Sequence, residues 1–156
     1  MTIKQLNKEN IPNIIQLEKN HAPDKPHYAR YDEKALNFIF DNPTTCKAYG
    51  IFEKDKLIAW GAYRTQYKDD NLTQKETYEI SSIVVDKNRR RKGMGKAILN
   101  KIIGEIKKNQ QFRNIYLTVS PLNLGALFLY LKNGFVICNF KKDVYGPGAD
   151  RVYLKL

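Results

Sequence analysis

The chain has 156 residues, with 27 Lys and Arg against 16 Asp and Glu, and its net charge at pH 7 is +11. Hydrophobic residues make up 42% of it, which excludes a disordered chain, and no apolar run reaches the ~20 residues of a membrane span. We expect residues 1–156 to form one domain, without a signal peptide or a membrane partner, in the cytoplasm. The charge favours anionic partners: nucleic acid, a phosphorylated cofactor or an acidic substrate.

The N-terminal half is predicted to contain a strand, two helices and a β-hairpin. Residues 2–7 have the pattern of a short strand. Apolar spacing predicts helices at residues 11–20 and 32–41, separated by a loop at residues 21–31 that contains two prolines. Two strand-like runs then meet at a polar turn, residues 54–56, which predicts the hairpin.

The C-terminal half alternates strands and helices. In the strand predicted at residues 75–86, strict alternation puts Glu79 and Val85 on the same face. The elements predicted after it are a helix at 93–108, a strand at 113–120, a helix at 123–134, and strands at 135–145 and 150–156. This order predicts an α/β (α+β) fold with a single mixed sheet of about six to seven strands flanked by helices.

The cysteines and histidines indicate neither a disulfide nor a metal site. Cys46 and Cys138 stand far apart, and we interpret Cys138, in the apolar run "FVICNF", as a buried and inert thiol. His21 and His27 do not combine with either cysteine at the spacing of a zinc site. We therefore expect no metal.

A run of cations leads directly into two glycines at residues 84–102, "VVDKNRRRKGMGKAILNKI". The first turn of a helix binds phosphate readily, because its N–H groups are unpaired and its dipole end is positive. The stretch does not match a dinucleotide-binding G-x-G-x-x-G, since Ile98 occupies the last glycine position, and it lacks the Ser or Thr of a P-loop. What remains is R-x-x-G-x-G, at Arg90, Gly93 and Gly95. A solvated basic loop before an ordinary helix stays open as the alternative.

Two motifs carry a resemblance to a known family. "EISSIVVDKNRRRKGMGKAIL" is followed by "LTVSPLNLGALFLYLKNGF", in which Asn123, Ala126 and Tyr130 have the spacing N-x-x-A-x-x-x-Y. With the element order, these motifs resemble the GNAT superfamily of N-acetyltransferases. The resemblance covers nearly the full chain, but only residues 79–135 carry specific motifs. It implies two central parallel strands that splay apart, with acetyl-CoA entering the gap.

The resemblance also implies which residues bind acetyl-CoA or coenzyme A. Backbone groups at the end of one splayed strand would pair with the pantetheine arm, and amides of the glycine stretch would hold the pyrophosphate. Asn123 would contact the pantetheine or the neighbouring backbone. The expected cofactor-binding residues are Ile83, Val84, Val85, Arg90, Arg91, Lys92, Gly93, Met94, Gly95, Lys96 and Asn123.

Two side chains are the candidates for catalysis by direct transfer in a ternary complex. Tyr130 matches the family tyrosine that faces the CoA sulfur, and would act as the general acid; its alternative role is a core aromatic. Glu79 lies on the strand beside the predicted gap and would act as the general base through a water. Its alternative role is an ion pair with a surface cation. A backbone N–H near Val85 would stabilise the oxyanion.

The predicted function is transfer of an acetyl group from acetyl-CoA to a primary amine: a protein or peptide N-terminus, a lysine or a small amine. The alternative is a basic nucleic-acid- or ribosome-binding module on an inactive acetyltransferase scaffold. A nucleic-acid partner is disfavoured because no aromatic residue interrupts the basic run.

The acceptor site is expected in the 21–31 loop, the second helix and the 142–150 loop. These segments contain no acidic cluster, which disfavours a polyamine or an aminoglycoside, and the C-terminal tail loosely resembles peptide and ribosomal-protein acetyltransferases. The last two strands could pair in a homodimer, by analogy with other domains of this kind. The acceptor-site residues of interest are Asp24, His27, Tyr28, Arg30, Tyr31, Tyr145 and Asp150.

Overall fold

A seven-stranded sheet forms the centre of the computed structural model, which describes residues 2–21, 31–65, 77–108 and 114–156. In space the strands follow the order β1-β2-β3-β4-β5-β7-β6, and only β4 and β5 are parallel neighbours. This confirms the predicted mixed sheet. The strands are β1 (Ile3–Gln5), β2 (Cys46–Glu53), β3 (Lys56–Thr65), β4 (Thr77–Val85), β5 (Asn114–Val119), β6 (Val136–Lys141) and β7 (Arg151–Lys155).

In the part of the chain that the structure describes, four α-helices flank the sheet: α1 (Ile11–His21), α2 (Glu33–Asp41), α3 (Met94–Lys107) and α4 (Leu124–Lys132). Asp32 caps α2, since its side chain accepts a 2.8 Å hydrogen bond from the Ala35 N–H. None of the helices in the described residues is both long and apolar enough to cross a membrane.

Two apolar clusters hold the helices on opposite faces of the sheet. One cluster joins α3 and α4 to the sheet, with Ile98, Ile102 and Leu117 among its buried members. The other joins α1 and α2 to β2, β3 and β4 around the fully buried Trp60. This second cluster includes no residue of β5, β6 or β7. On the α1/α2 side, the helices among the described residues therefore cover only one half of the sheet.

A β-bulge in β4 reverses the face on which one predicted catalytic residue lies. The β3–β4 register skips Ser81, which stands between Glu79 and Val85. Glu79 lies opposite Arg64 and Val85 lies opposite Ala59, and these two partners are five residues apart on β3 and so face opposite sides. The prediction that Glu79 and Val85 share a face is therefore wrong, because the inserted residue breaks the alternation. Glu79 faces the α1/α2 side.

The edge strand β6 also differs from expectation. It is exposed along its whole length, and Cys138 is exposed with it, so the prediction of a buried thiol is wrong. The register between β6 and β7 shifts at this cysteine, whose Sγ lies 3.5 Å from the Tyr153 carbonyl oxygen. In the described sheet β6 is an edge strand next to β7, and its apolar side chains Val136 and Phe140 are about half exposed. The homodimer through the last strands stays a prediction.

Candidate active site

A cleft opens where β4 and β5 separate. The two strands pair over only three residues each, from Thr77 to Glu79 on β4 and from Asn114 to Tyr116 on β5. The bulge at Ser81 follows directly, and β5 continues paired with β7 on its other side. This confirms the predicted splay. From the two strands and the turn after β5, the cleft is lined by Glu79, Ile80, Ser81, Ser82, Ile83, Val84, Thr118, Val119 and Ser120.

Tyr130 places a buried hydroxyl at this cleft. The side chain lies on α4, is 7% exposed and lines the cleft, with its ring 5.8 Å from that of Phe135. Burial raises the pKa of Tyr130 to about 12. Among the residues that the structure describes, none hydrogen-bonds to the hydroxyl, although buried polar groups are normally paired. The hydroxyl is thus available as a donor to a group bound in the cleft.

Glu79 lines the same cleft in an ion pair with Arg64. The Arg64 Nε lies 2.6 Å from the carboxylate, and the two side chains are 49% and 18% exposed, respectively. The ion pair that was considered as an alternative role for Glu79 is therefore present. Its role as general base stays a prediction.

The first turn of α3, which directly follows the basic run in sequence, contains backbone N–H groups without a partner in the helix. Gly93 precedes the helix with a φ of +81°, in the left-handed region that glycine adopts readily, and no side chain caps the helix. The first helical hydrogen bond joins the Ala97 N–H to the Gly93 carbonyl. The N–H groups between these two residues have no partner within the helix, which makes them suitable for an anion.

Two cations of the basic run, Arg89 and Arg90, contact different parts of the protein. Arg90 donates to the backbone carbonyl of His21 at 3.0 Å, and so anchors the loop to the end of α1. Arg89 forms an ion pair with Glu53, and its hydrogen bond lowers the pKa of that carboxyl. The cofactor contact expected of Arg90 stays a prediction, and the guanidinium has a structural contact already.

Asn123 directly precedes α4 as its N-cap and lines the cleft. Its side-chain oxygen accepts a 3.2 Å hydrogen bond from the Ala126 N–H, which caps the helix. Of its two expected contacts, the one to neighbouring backbone is therefore present, and the one to pantetheine stays a prediction.

Several cleft residues were not found from the sequence. Arg151 is 5% exposed and lines the cleft, and its guanidinium lies 4.8 Å from the ring centre of Tyr145. A lone Arg in a short strand carries no sequence signal for this position. Arg64 and Ser120 line the cleft as well.

Tyr31 and Tyr145, both expected near the acceptor, line the cleft. The Tyr31 hydroxyl donates to the carbonyl of the bulged Ser81 at 3.1 Å, and burial raises its pKa. The Asp150 carboxylate accepts from the Asp143 N–H in the loop before β7. The other acceptor-site residues of interest lie outside the described residues: Asp24, His27, Tyr28 and Arg30.

A family model described as "Acetyltransferase (GNAT) family" matches residues 10–135. The chain belongs to the GNAT acetyltransferase family. It is 26% identical over 113 residues to streptothricin acetyltransferase A of Bacillus subtilis, a match that covers 72% of this chain and 61% of that protein. It is 36% identical over 77 residues to N-alpha-acetyltransferase 50 of Danio rerio, covering 49% and 45% of the two chains. The chain thus spans about half to three fifths of these relatives.

Solved structures of other GNAT members share the fold. Ribosomal-protein-alanine N-acetyltransferase of Brucella melitensis superposes with a TM-score of 0.83 at 15% identity, over 100% of this chain and 99% of that one. The ribosomal-protein-S18-alanine N-acetyltransferase of Escherichia coli gives 0.79 at 21% identity, over 99% and 92%. Likeness at these identities shows the fold alone. GNAT enzymes use acetyl-CoA as co-substrate. The edge of β4 that β5 leaves unpaired, the start of α3 and the Tyr130 hydroxyl fit such a molecule.

Proposed function

We propose that the protein is an N-acetyltransferase that moves the acetyl group of acetyl-CoA directly to a primary amine. The observation that carries this proposal is the cleft itself. The central parallel strands separate directly after a three-residue pairing, and the Tyr130 hydroxyl is buried at the opening without a described protein partner. A packed core would leave neither an unpaired strand edge nor an orphan hydroxyl.

The chemistry needs one base and one acid. The acceptor ammonium must lose a proton before its nitrogen can attack the thioester carbonyl, and Glu79 would take that proton through a water. The new C–N bond forms, the C–S bond breaks, and the thiolate leaves. Tyr130 would protonate the thiolate, and its raised pKa keeps the proton on the hydroxyl at neutral pH.

Backbone groups would hold the co-substrate. The free edge of β4 at Ile83, Val84 and Val85 would pair with the pantetheine arm, as a strand pairs with its neighbour. The backbone from Arg91 to Lys96, at the start of α3, would bind the pyrophosphate.

We propose only the chemical class of the acceptor, a primary amine. It can be a protein or peptide N-terminus, a lysine or a small amine. Relatives of this chain are named for streptothricin, for spermine and for N-alpha acetylation. These are different amines, and they support amine acetylation in general.

Co-substrate binding is tested by the melting temperature with acetyl-CoA, CoA and RNA at low and high salt. We expect saturating acetyl-CoA at 100 times Kd to stabilise the fold by about 2.7 kcal/mol. RNA should raise the melting temperature only slightly, and high salt should abolish this effect of RNA. Stabilisation by RNA alone would reject the proposal in favour of a nucleic-acid-binding module.

Acetyl transfer is tested by release of free CoA with a panel of amines. The panel contains peptides with free N-termini, lysine peptides with blocked N-termini, and small amines. We expect CoA release above the hydrolysis background with at least one class, and Tyr130→Phe should slow this release about 100-fold. Binding of acetyl-CoA with no acetylation across the panel would contradict the proposed reaction.

A further inference from the structure

The β-bulge at Ser81 separates two different parts of β4. Before the bulge, β4 pairs with β5 from Thr77 to Glu79. After it, from Ser82 to Val85, the described register with β5 has ended while the register with β3 continues. A bulge bends the strand that contains it and increases its twist. The direction in which β4 continues along the cleft therefore depends on how the bulge is held.

Two side-chain hydroxyl groups hold this bulge. The Tyr31 hydroxyl donates a 3.1 Å hydrogen bond to the Ser81 carbonyl. The Ser81 hydroxyl donates at 3.3 Å to the carbonyl of Ala62, the β3 residue at which the register shifts. An extra residue in a strand leaves backbone polar groups outside the ladder, and these groups need other partners. The two hydroxyls supply partners for the carbonyls of Ser81 and Ala62.

Tyr31 is itself fixed by buried neighbours. Its ring meets the fully buried Trp60 edge-on, with the ring centres 5.3 Å apart and the planes at 87°. The Trp60 Nε1 donates a 2.8 Å hydrogen bond to the carboxylate of Glu18, which is buried on α1. Burial raises the pKa of Tyr31, so the hydroxyl keeps its proton and remains a donor at neutral pH. A chain of contacts from α1 through β3 thus ends at the bulge.

We propose that Tyr31 and Ser81 are positioning residues for acetyl transfer, because their hydroxyls fix the bulge and so place the edge of β4 for acetyl-CoA. This inference rests on the proposed acetyltransferase function. Neither residue is among those expected to bind acetyl-CoA. They would act through the backbone of Ile83, Val84 and Val85, which would pair with the pantetheine arm and supply the oxyanion donor.

The first test measures acetyl-CoA binding without an amine. Tyr31→Phe removes the hydroxyl and keeps the ring on Trp60, and calorimetric titration should show about tenfold weaker binding, the scale of one hydrogen bond. Ser81→Ala removes the second, longer hydrogen bond and should weaken binding about threefold. The double variant should lose less than the product of these two factors, because both hydroxyls act on one bulge.

The second test separates positioning from direct contact with the acceptor. With a peptide acceptor and saturating acetyl-CoA, kcat of Tyr31→Phe should fall about tenfold, because a displaced strand edge misplaces the thioester. KM for the peptide should not change. A residue that only binds the acceptor would raise this KM and leave acetyl-CoA binding intact. A residue that only stabilises the fold would lower the melting temperature and leave the binding and kinetic constants unchanged.

Tyr78→Phe is the matched control on the same strand. Tyr78 is a buried tyrosine that lies before the bulge, where β4 still pairs with β5. Its substitution removes the same hydroxyl group from the same strand. The control should therefore bind acetyl-CoA like the original protein.

The outcomes separate this inference from the proposed function. Unchanged acetyl-CoA affinity in Tyr31→Phe and Ser81→Ala, a double variant that loses the full product, or an equal loss in Tyr78→Phe would overturn the inference. If Tyr31→Phe does not fold, Ser81→Ala and its control decide the question. Failure of the original protein to bind acetyl-CoA would instead overturn the proposed function, and this measurement involves no variant.

Discussion

The Arg64 guanidinium donates a 2.6 Å hydrogen bond to the Glu79 carboxylate across the neighbouring strands β3 and β4. The pair lies at the point where β4 leaves β5, so it stands at the entrance of the cleft. Two roles are compatible with this geometry. The carboxylate can serve as a proton acceptor for the amine, or the pair can only join the two strands. These roles give different kinetic results.

We predict that Glu79→Gln lowers kcat by about 100-fold, the smaller end of the effect of a general base, while acetyl-CoA binding is kept. Arg64→Gln, which removes the partner and keeps the carboxylate, should lower kcat much less. Steady-state kinetics with a peptide acceptor and thermal stabilisation by acetyl-CoA measure both effects. If the two variants lose the same small amount of activity and the same melting temperature, Glu79 has only a structural role.

Tyr130→Phe should lower the activity of the protein without lowering its stability. Loss of the general acid should lower kcat by about 100-fold, with acetyl-CoA affinity nearly unchanged. Stability should stay equal or rise, because a buried hydroxyl without a partner costs about 1–3 kcal/mol in the folded state. Urea unfolding and kinetics of the same preparation test both parts. Tyr78→Phe, a buried tyrosine outside the described cleft lining, is the control and should keep its activity. Unchanged turnover in Tyr130→Phe would exclude the acid role.

Local sequence patterns predicted the strands and the helices, because periodicity, turn residues and caps act over a few neighbours. The splayed pair was implied by the resemblance to the GNAT family. The bulge at Ser81 was not predictable in this way. It depends on the register with β3, and its carbonyl accepts from Tyr31, fifty residues away in sequence. The exposure of Cys138 has a similar cause: an apolar run looks the same in a central strand and at the edge of a sheet, and only the strand order distinguishes them.

The glycine stretch is predicted to act through its shape more than through its charge. A Cβ on Gly95 would lie 3.4 Å from the Leu129 side chain and 3.7 Å from that of Val85, so a larger side chain would force the start of α3 away from its neighbours. Displacement of the anion-binding amides by about 1 Å should weaken acetyl-CoA binding about 100-fold in Gly95→Leu. Lys87→Ala should weaken it less than about threefold, the scale of one exposed charge.

Calorimetric titration with acetyl-CoA measures both variants. Gly104→Leu is the matched control on the same helix, since a Cβ at that position meets no atom within 4 Å among the described residues. It should bind acetyl-CoA like the original protein. Equal weakening by Gly95→Leu and Lys87→Ala would mean that the stretch acts as a diffuse basic patch.

Low pH should reduce the free energy of unfolding, because Glu105 on α3 becomes protonated. The Glu105 carboxylate accepts 2.7 Å hydrogen bonds from Lys101 and Lys108, and these lower its pKa from 4.5 to about 2. The unfolded chain, with the higher pKa, takes up the proton first, so the stabilising contribution is complete above about pH 4.5 and is lost as the pH falls toward 2.

Glu105→Gln should therefore destabilise the protein at pH 7, and the difference should shrink as the pH falls to 2. Urea unfolding across this range measures it, with the exposed Glu9→Gln as the control. A difference that is constant with pH would mean that the two lysines do not stabilise the ionised carboxylate.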